Sequence, residues 1–175
     1  MREPNIIIEY KDKKNSSGKI LNGDIHLSIS NRISSQEQQQ HIKYLTEKLR
    51  SKIAWAQDYQ FSCTKSLVSK DQDLRRLADT INKTYYNLPL EGVFFHKQTS
   101  TWGTCSLKTK QIYISHRLIG APLEIIWYVL THEICHLAEP RHNTRFWNLV
   151  EKACPNYREI RKMLKVYGLQ IDADT

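Results

Sequence analysis

The residues that could do chemistry cluster between positions 132 and 136, where the chain reads His-Glu-Ile-Cys-His. Two histidines four positions apart lie on one face of a helix, and the glutamate lies beside that face. Two imidazoles can bind a zinc ion, and a neighbouring carboxylate can act as the base for a water that the zinc activates. The pattern therefore predicts a hydrolytic site with His132 and His136 as ligands of Zn²⁺ and Glu133 as the catalytic base.

A third protein ligand would leave one position of a tetrahedral zinc ion open for water or substrate. His142 follows the motif after six positions, and Pro140 ends the helix before it, so the loop can return this imidazole to the metal. A glutamate on a later helix, Glu151 or Glu159, is the competing ligand, and Glu139 is a local alternative. We favour His142 as the third ligand.

The motif lies in a segment whose composition predicts a buried helix. Pro122 suits the first turn, and the segment runs to about Ala138 with no charged residue between Glu124 and Glu133. Apolar residues leave almost no polar face, so we expect this helix in the middle of the fold. A buried helix must still satisfy two histidines and a glutamate, and metal ligation would do so.

Periodicity and turn residues divide the rest of the chain into strands and helices. A β-hairpin or meander is expected within residues 5–30, with Asn22-Gly23 as a turn. The other predicted elements are helices over 36–57, 71–86, 144–153 and 155–168, and strands over 92–96, 102–106 and 111–115, the last two as a hairpin. Residues 169–175 are expected to be frayed.

The length of 175 residues suits a single domain with one sizeable core. Within it we expect an N-terminal β-hairpin region (1–33), a helical region (34–90) and a catalytic core (91–168). The sequence does not indicate an oligomeric state.

The net charge of +8 would attract polyanions such as nucleic acid, although the basic residues are scattered along the chain. No apolar run reaches the roughly 20 residues of a membrane span, and the first residues lack the apolar stretch of a secretory signal. We therefore expect a soluble, cytoplasmic protein. Its four cysteines are expected to be free thiols, with a packing role for the one inside the motif: Cys63, Cys105, Cys135 and Cys154.

Several blocks of sequence, in order, resemble those of one known family. They are Ser-Thr-Trp-Gly-Thr-Cys-Ser at 100–106, the strand at 112–115, Pro122 with the motif helix to Leu137, and His-Asn-Thr-Arg-Phe-Trp at 142–147. Together they resemble the YgjP-like metallopeptidase domain, a family related to the SprT-like and WLM zinc peptidases. The likeness covers about residues 92–168.

The resemblance implies an α+β fold of the minimal zincin type, in which a small, mostly antiparallel sheet packs on the active-site helix with further helices behind. It implies His132, His136 and His142 as zinc ligands and Glu133 as the general base. Zinc peptidases commonly bind an extended peptide along an edge strand, for which 111–115 is our candidate. Candidate substrate contacts are Trp102, Gln111, Tyr113 and Trp147.

Three functions compete at this point. The leading hypothesis is a zinc-dependent endopeptidase that acts on polypeptides and is associated with DNA through its basic surface. The second, which the resemblance to the family also implies, is a metal-dependent pyrophosphatase acting on UTP, although the chain has no glycine-rich phosphate loop. The third is a non-catalytic, zinc-containing nucleic-acid-binding module, with Cys105 as the fourth ligand. An intact H-E-x-x-H argues against this last class, because Glu133 would have no role in it.

Overall fold

The computed structural model of the chain describes residues 3–58 and 66–173; Cys63 lies outside them. The described residues form two compact units. One, called here the terminal unit, comes from residues 1–60 and 165–175, and the other, the central unit, from residues 61–164. The expected organisation as a single domain stays a prediction.

The terminal unit contains a three-stranded sheet of β1 (Ile6–Lys11), β2 (Ser17–Leu21) and β3 (Asp24–Ser30). Its strand order is β1-β3-β2, so the predicted hairpin is confirmed for β2 and β3, whereas a meander is wrong because β1 pairs in parallel with β3. The hairpin turn has positive φ at Asn22 and Gly23. The central strand, β3, carries the buried residues Ile25, Leu27 and Ile29.

Helix α1 (Ser35–Asp58) covers this sheet and matches the prediction. It begins with a capping box, in which the Ser34 N–H donates to the Glu37 carboxylate (2.9 Å) and the Glu37 N–H donates to the Ser34 hydroxyl (3.3 Å). Its apolar face, which includes Leu49, packs on the buried residues of β3.

The central unit contains a second three-stranded sheet, made of β4 (Gly92–His96), β5 (Gly103–Ser106) and β6 (Gln111–Ser115). The predicted β5–β6 hairpin is confirmed, and β4 pairs in parallel with β6, so each sheet of the protein has one parallel and one antiparallel pair. The order β4-β6-β5 makes β6 the central strand. The expectation that 111–115 is an edge strand is therefore wrong.

A short 3-10 turn (His116–Leu118) follows β6, and four further α-helices complete the described structure: α2 (Asp71–Tyr85), α3 (Leu123–His136), α4 (Thr144–Ala153) and α5 (Tyr157–Ala173). The motif helix α3 contacts α2, α4, β5 and β6, and nine of its residues are buried, which confirms its predicted central position. The predicted end of α5 at Gly168 is wrong. The helix continues to Ala173, and the Gln170 side chain donates to the Ala56 carbonyl oxygen of α1 (2.8 Å) in the terminal unit.

The α+β class is confirmed by these two small sheets and five described helices. Within the described ranges, no helix is both long and apolar enough to cross a membrane. Cys105, Cys135 and Cys154 are free thiols, and Cys135 is fully buried, in agreement with a packing role.

Candidate metal centre and active site

Three imidazoles meet at the carboxyl end of α3. His132 and His136 lie one turn apart on that helix, and the loop after Pro140 brings His142 to them. The possible ligand atoms of the three residues all lie within 4.8 Å of one another, and the Nε2 atoms of His132 and His142 are 3.0 Å apart. Nitrogens bound to tetrahedral zinc at about 2.0–2.1 Å would be about 3.3 Å apart, so the three rings are close to the spacing that zinc requires.

The aromatic ring of Phe146 packs against all three imidazoles. Its centroid is 4.8 Å from that of His132, 4.6 Å from that of His136 and 4.7 Å from that of His142. Phe146 is fully buried in the first turn of α4, and its backbone N–H donates to the side chain of Asn143, the N-cap of that helix (3.0 Å). The first turn of α4 thus positions the Phe146 ring against which the three imidazoles pack.

Burial keeps the two helical histidines neutral. Desolvation, reinforced by the neighbouring imidazoles, lowers the pKa of His132 to about 3, and desolvation also lowers the pKa of His136. His136 Nδ1 lies 3.2 Å from the carbonyl oxygen of Glu139, which can only accept, so Nδ1 carries the proton and Nε2 keeps a lone pair. Among the described residues, His132 Nδ1 is buried without a hydrogen-bond partner.

Glu133 is buried against the backbone of β5. Only 6% of the residue is exposed, and burial raises the pKa of its carboxyl group to about 8. A Cβ atom added to Gly103 would lie 2.7 Å from Glu133 Oε1 and 2.7 Å from Glu133 Cγ. Glycine is therefore the residue that allows the strand to approach the carboxylate this closely.

A cavity of about 600 Å³ opens in front of the histidines and Glu133. The lining beyond these four residues comes from β5 and its flanks, from the preceding turn of α3, from Pro140 and from α5: Thr101, Trp102, Gly103, Thr104, Cys105, Leu107, Tyr128, Val129, Pro140 and Leu164. Burial raises the pKa of Tyr128 to about 12 and that of Cys105 to about 11, so both side chains stay protonated near neutrality.

The predicted substrate contacts are only partly at this cavity. Trp102 lines it. Gln111 and Tyr113 lie on the central strand β6, where the Tyr113 hydroxyl donates to Gln111 Oε1 (2.8 Å), and neither is among the lining residues. Trp147 packs against the ring of His142 (5.8 Å between centroids) and is also not among them.

The cavity includes residues that the sequence analysis did not select, among them Tyr128 and Leu164. Tyr128 could have been found, because it precedes His132 by one helical turn and therefore lies on the same face of α3. Leu164 gave no sequence signal, since its place in the lining depends on how α5 packs in the central unit.

The side chains that the sequence analysis offered as alternative metal ligands are not part of the histidine cluster. The Glu151 carboxylate pairs with Arg158 (3.4 Å), and the Glu139 carboxylate accepts the backbone N–H of Arg141 (3.2 Å). In the described part of the chain, the group of possible ligand atoms consists of the three histidines, without Glu159 or Cys105.

The model of the YgjP-like metallopeptidase domain matches residues 7–167, which is nearly the whole chain. The chain belongs to this family. It is therefore a hydrolase of the metallopeptidase class, and the family implies a catalytic metal ion.

Solved structures with partial similarity to this YgjP-like domain include two metallopeptidase zymogens. One is abylysin of Pyrococcus abyssi, at 24% identity and a TM-score of 0.48, over 52% of this chain and 90% of that one. The other is jannalysin of Methanocaldococcus jannaschii, at 17% identity and a TM-score of 0.44, over 53% of this chain and 96% of that one. No curated protein matches the chain significantly.

The contact between Gly103 and Glu133 predicts the effect of one added methyl group. We expect Gly103→Ala to displace the Glu133 carboxylate and to lower kcat/KM for peptide hydrolysis by this YgjP-like domain about 100-fold, because a 1 Å misplacement can have that effect. Metal content should be unchanged. The assay is steady-state peptide cleavage together with metal analysis.

Gly92→Ala is the matched control, since Gly92 lies in β4 of the same sheet and the atoms nearest to its added Cβ would be those of the Phe94 ring and the Gln111 side chain. Equal losses of activity in the two variants would contradict a specific role for the Gly103 contact.

Proposed function

We propose that this protein is a zinc-dependent endopeptidase in which His132, His136 and His142 hold the metal and Glu133 is the general base. The observation that carries the proposal is the convergence of three imidazoles and one buried carboxylate on a single cavity. Neutral imidazoles suit zinc, whereas magnesium and calcium prefer oxygen ligands. Three protein ligands also leave the open position that a catalytic zinc site needs.

Zinc in this position would supply a Lewis acid that polarises the scissile carbonyl group and lowers the pKa of a bound water. The chain's own contribution is the Glu133 carboxylate, which takes a proton from the attacking water and returns it to the leaving nitrogen. Its position supports this role, because Glu133 lines the same cavity as the three histidines.

We propose that the polypeptide substrate binds in extended form along β5 and not along β6. Strand β5 is an edge of its sheet, and its first residue, Gly103, abuts Glu133. An edge strand has unpaired backbone groups that can pair with a peptide. The mainly apolar cavity wall, which includes Trp102 and Leu107, would then receive side chains close to the bond that is cleaved.

The alternative of a UTP pyrophosphatase finds no support in the cavity. None of the described residues that line it is lysine or arginine, and a triphosphate would need such cations. A purely structural zinc site is disfavoured by the open cavity in front of the histidines and by the buried carboxylate beside them.

Glu133→Gln separates catalysis from metal binding. We expect cleavage of unfolded casein to fall by 10²–10⁴, roughly the contribution of a general base, with zinc content unchanged. Glu124→Gln is the matched control, since it makes the same change at an exposed position in the first turn of α3.

The same incubation should contain UTP, and mass spectrometry should identify all products. UMP and pyrophosphate without new peptides would contradict the peptidase and favour the nucleotide hydrolase. Loss of zinc from Glu133→Gln would instead make Glu133 a ligand.

His142→Ala tests the third ligand. We expect the zinc content of the purified protein to fall sharply, because the two remaining imidazoles are too few to hold the ion. His116→Ala is the control, as His116 is exposed in the 3-10 turn after β6, outside the cluster. Unchanged zinc stoichiometry in His142→Ala would reassign the third ligand to a glutamate.

An intracellular location stays the expectation from the sequence. We also propose that the protein associates with single-stranded DNA. Residues 61–164 contain 15 Lys and Arg against 9 Asp and Glu, so the positive charge is concentrated in the central unit. In the sequence, exposed Lys108 follows Leu107 and exposed Arg141 follows Pro140, and both of these preceding residues line the cavity. We propose that these cations hold the phosphates of a DNA strand outside the cavity, whose described lining residues include no lysine or arginine.

Neutralising both residues, as in Lys108→Gln with Arg141→Gln, should weaken binding of a fluorescent oligonucleotide. The slope of log affinity against log salt should fall by about 0.7 per lost phosphate contact. The control is Lys48→Gln with Lys52→Gln on α1, and fluorescence anisotropy is the measurement. An identical slope in all three proteins would exclude this surface as the DNA site.

A further inference from the structure

The three imidazoles differ in how they are held. His132 and His136 are on the buried helix α3, and the Nδ1 of His136 is fixed by the Glu139 carbonyl. His142 is an exposed residue of the loop before α4. Its orientation therefore depends more than theirs on neighbouring side chains.

The indole of Trp147 is one of these neighbours. It lies nearly parallel to the His142 ring, with an interplanar angle of 28° and 5.8 Å between centroids. The indole is itself stacked on Tyr157, at 14° and 5.1 Å, and Tyr157 is buried at the start of α5. His142, Trp147 and Tyr157 thus form a stack that joins the loop to α4 and α5.

Two arginines of α5 add to this stack. The Arg161 guanidinium lies 4.9 Å from the ring centroid of Trp147, and that of Arg158 lies 4.7 Å from the ring centroid of Tyr157. In such cation–π contacts the positive guanidinium is attracted to the face of the aromatic ring. They restrict the indole further and leave it little freedom to turn away from His142.

We propose that Trp147 is a positioning residue for His142: held by Tyr157 and Arg161, it orients the third imidazole for the metal. The inference deepens the proposed function and rests on its assignment of His142 as a ligand. It replaces the expectation that Trp147 contacts substrate, since the indole packs on the imidazole and is not among the residues that line the cavity.

Groups that orient metal ligands typically contribute 10–100-fold to metal affinity. We therefore expect Trp147→Leu to weaken zinc binding by about 10-fold or more, measured by competition with a chelator. Trp147→Phe keeps a ring that can stack and should recover part of the affinity. The visible spectrum of the Co²⁺-loaded protein, which reports coordination geometry, should change in Trp147→Leu.

Trp127→Leu is the matched control for loss of an indole. Trp127 is half-buried on α3, and its indole N–H donates to the Ala153 carbonyl oxygen (3.1 Å). We expect it to lower the Tm of the metal-free protein to a similar extent while leaving zinc affinity and the Co²⁺ spectrum unchanged.

A double-mutant cycle decides whether Trp147 acts through His142. The background is His142→Cys, which keeps a zinc ligand but has no ring for the indole to pack on, and in it Trp147→Leu should cause no further loss of zinc affinity. An equal loss in both backgrounds, or an equal loss from Trp127→Leu, would overturn the proposal in favour of a general effect on folding. Unchanged affinity in Trp147→Leu would overturn the positioning role alone, whereas a wild-type protein that binds no zinc would overturn the proposed function as well.

Discussion

The structure depends on the burial of ionisable side chains in a helix that is otherwise apolar. Helix α3 is central to its unit, yet it buries Glu133 and most of His132 there. A charge placed in such surroundings without a partner costs several kcal/mol. The directions of the pKa shifts express this cost, since His132 is held neutral and Glu133 is driven toward its protonated form. A cation bound by the imidazoles would lower the pKa of the Glu133 carboxyl group and so favour its ionised form.

The elements next to α3 pack in ways that accommodate its buried carboxylate and imidazoles. Strand β5 can lie against Glu133 only because its first residue is glycine, and this closeness excludes water from one side of the carboxylate. On the other side of the site, the ring of Phe146 contacts all three imidazoles and holds them without competing for the metal. The three imidazoles and Glu133 all line the cavity, whereas the ring of Phe146, which is not among the lining residues, packs against the imidazoles.

Local patterns predicted most of the elements, and the spacing together with Pro140 favoured His142 over the competing glutamates as the third residue of the cluster. The bounds of β4, β6 and α4 agree with the predicted strands and helix. Strand order was not predictable in the same way: alternation marks Ile112 and Ile114 as buried but does not say how many strands flank them. The position of Trp147 likewise depends on α5, because Tyr157 and Arg161 of that helix pack on the indole and the pattern of α4 alone does not reveal them.

The site also joins segments that are separate in sequence. Two imidazoles belong to α3, whereas the third belongs to a loop whose exit is fixed by the Asn143 cap of α4. A metal bound by all three would therefore tie α4 to α3 through its ligands, in addition to the contact that Phe146 makes. Because such a metal binds the folded chain better than the unfolded one, its affinity adds to the free energy of unfolding. The three histidine side chains would thus contribute both to the stability of the fold and to catalysis.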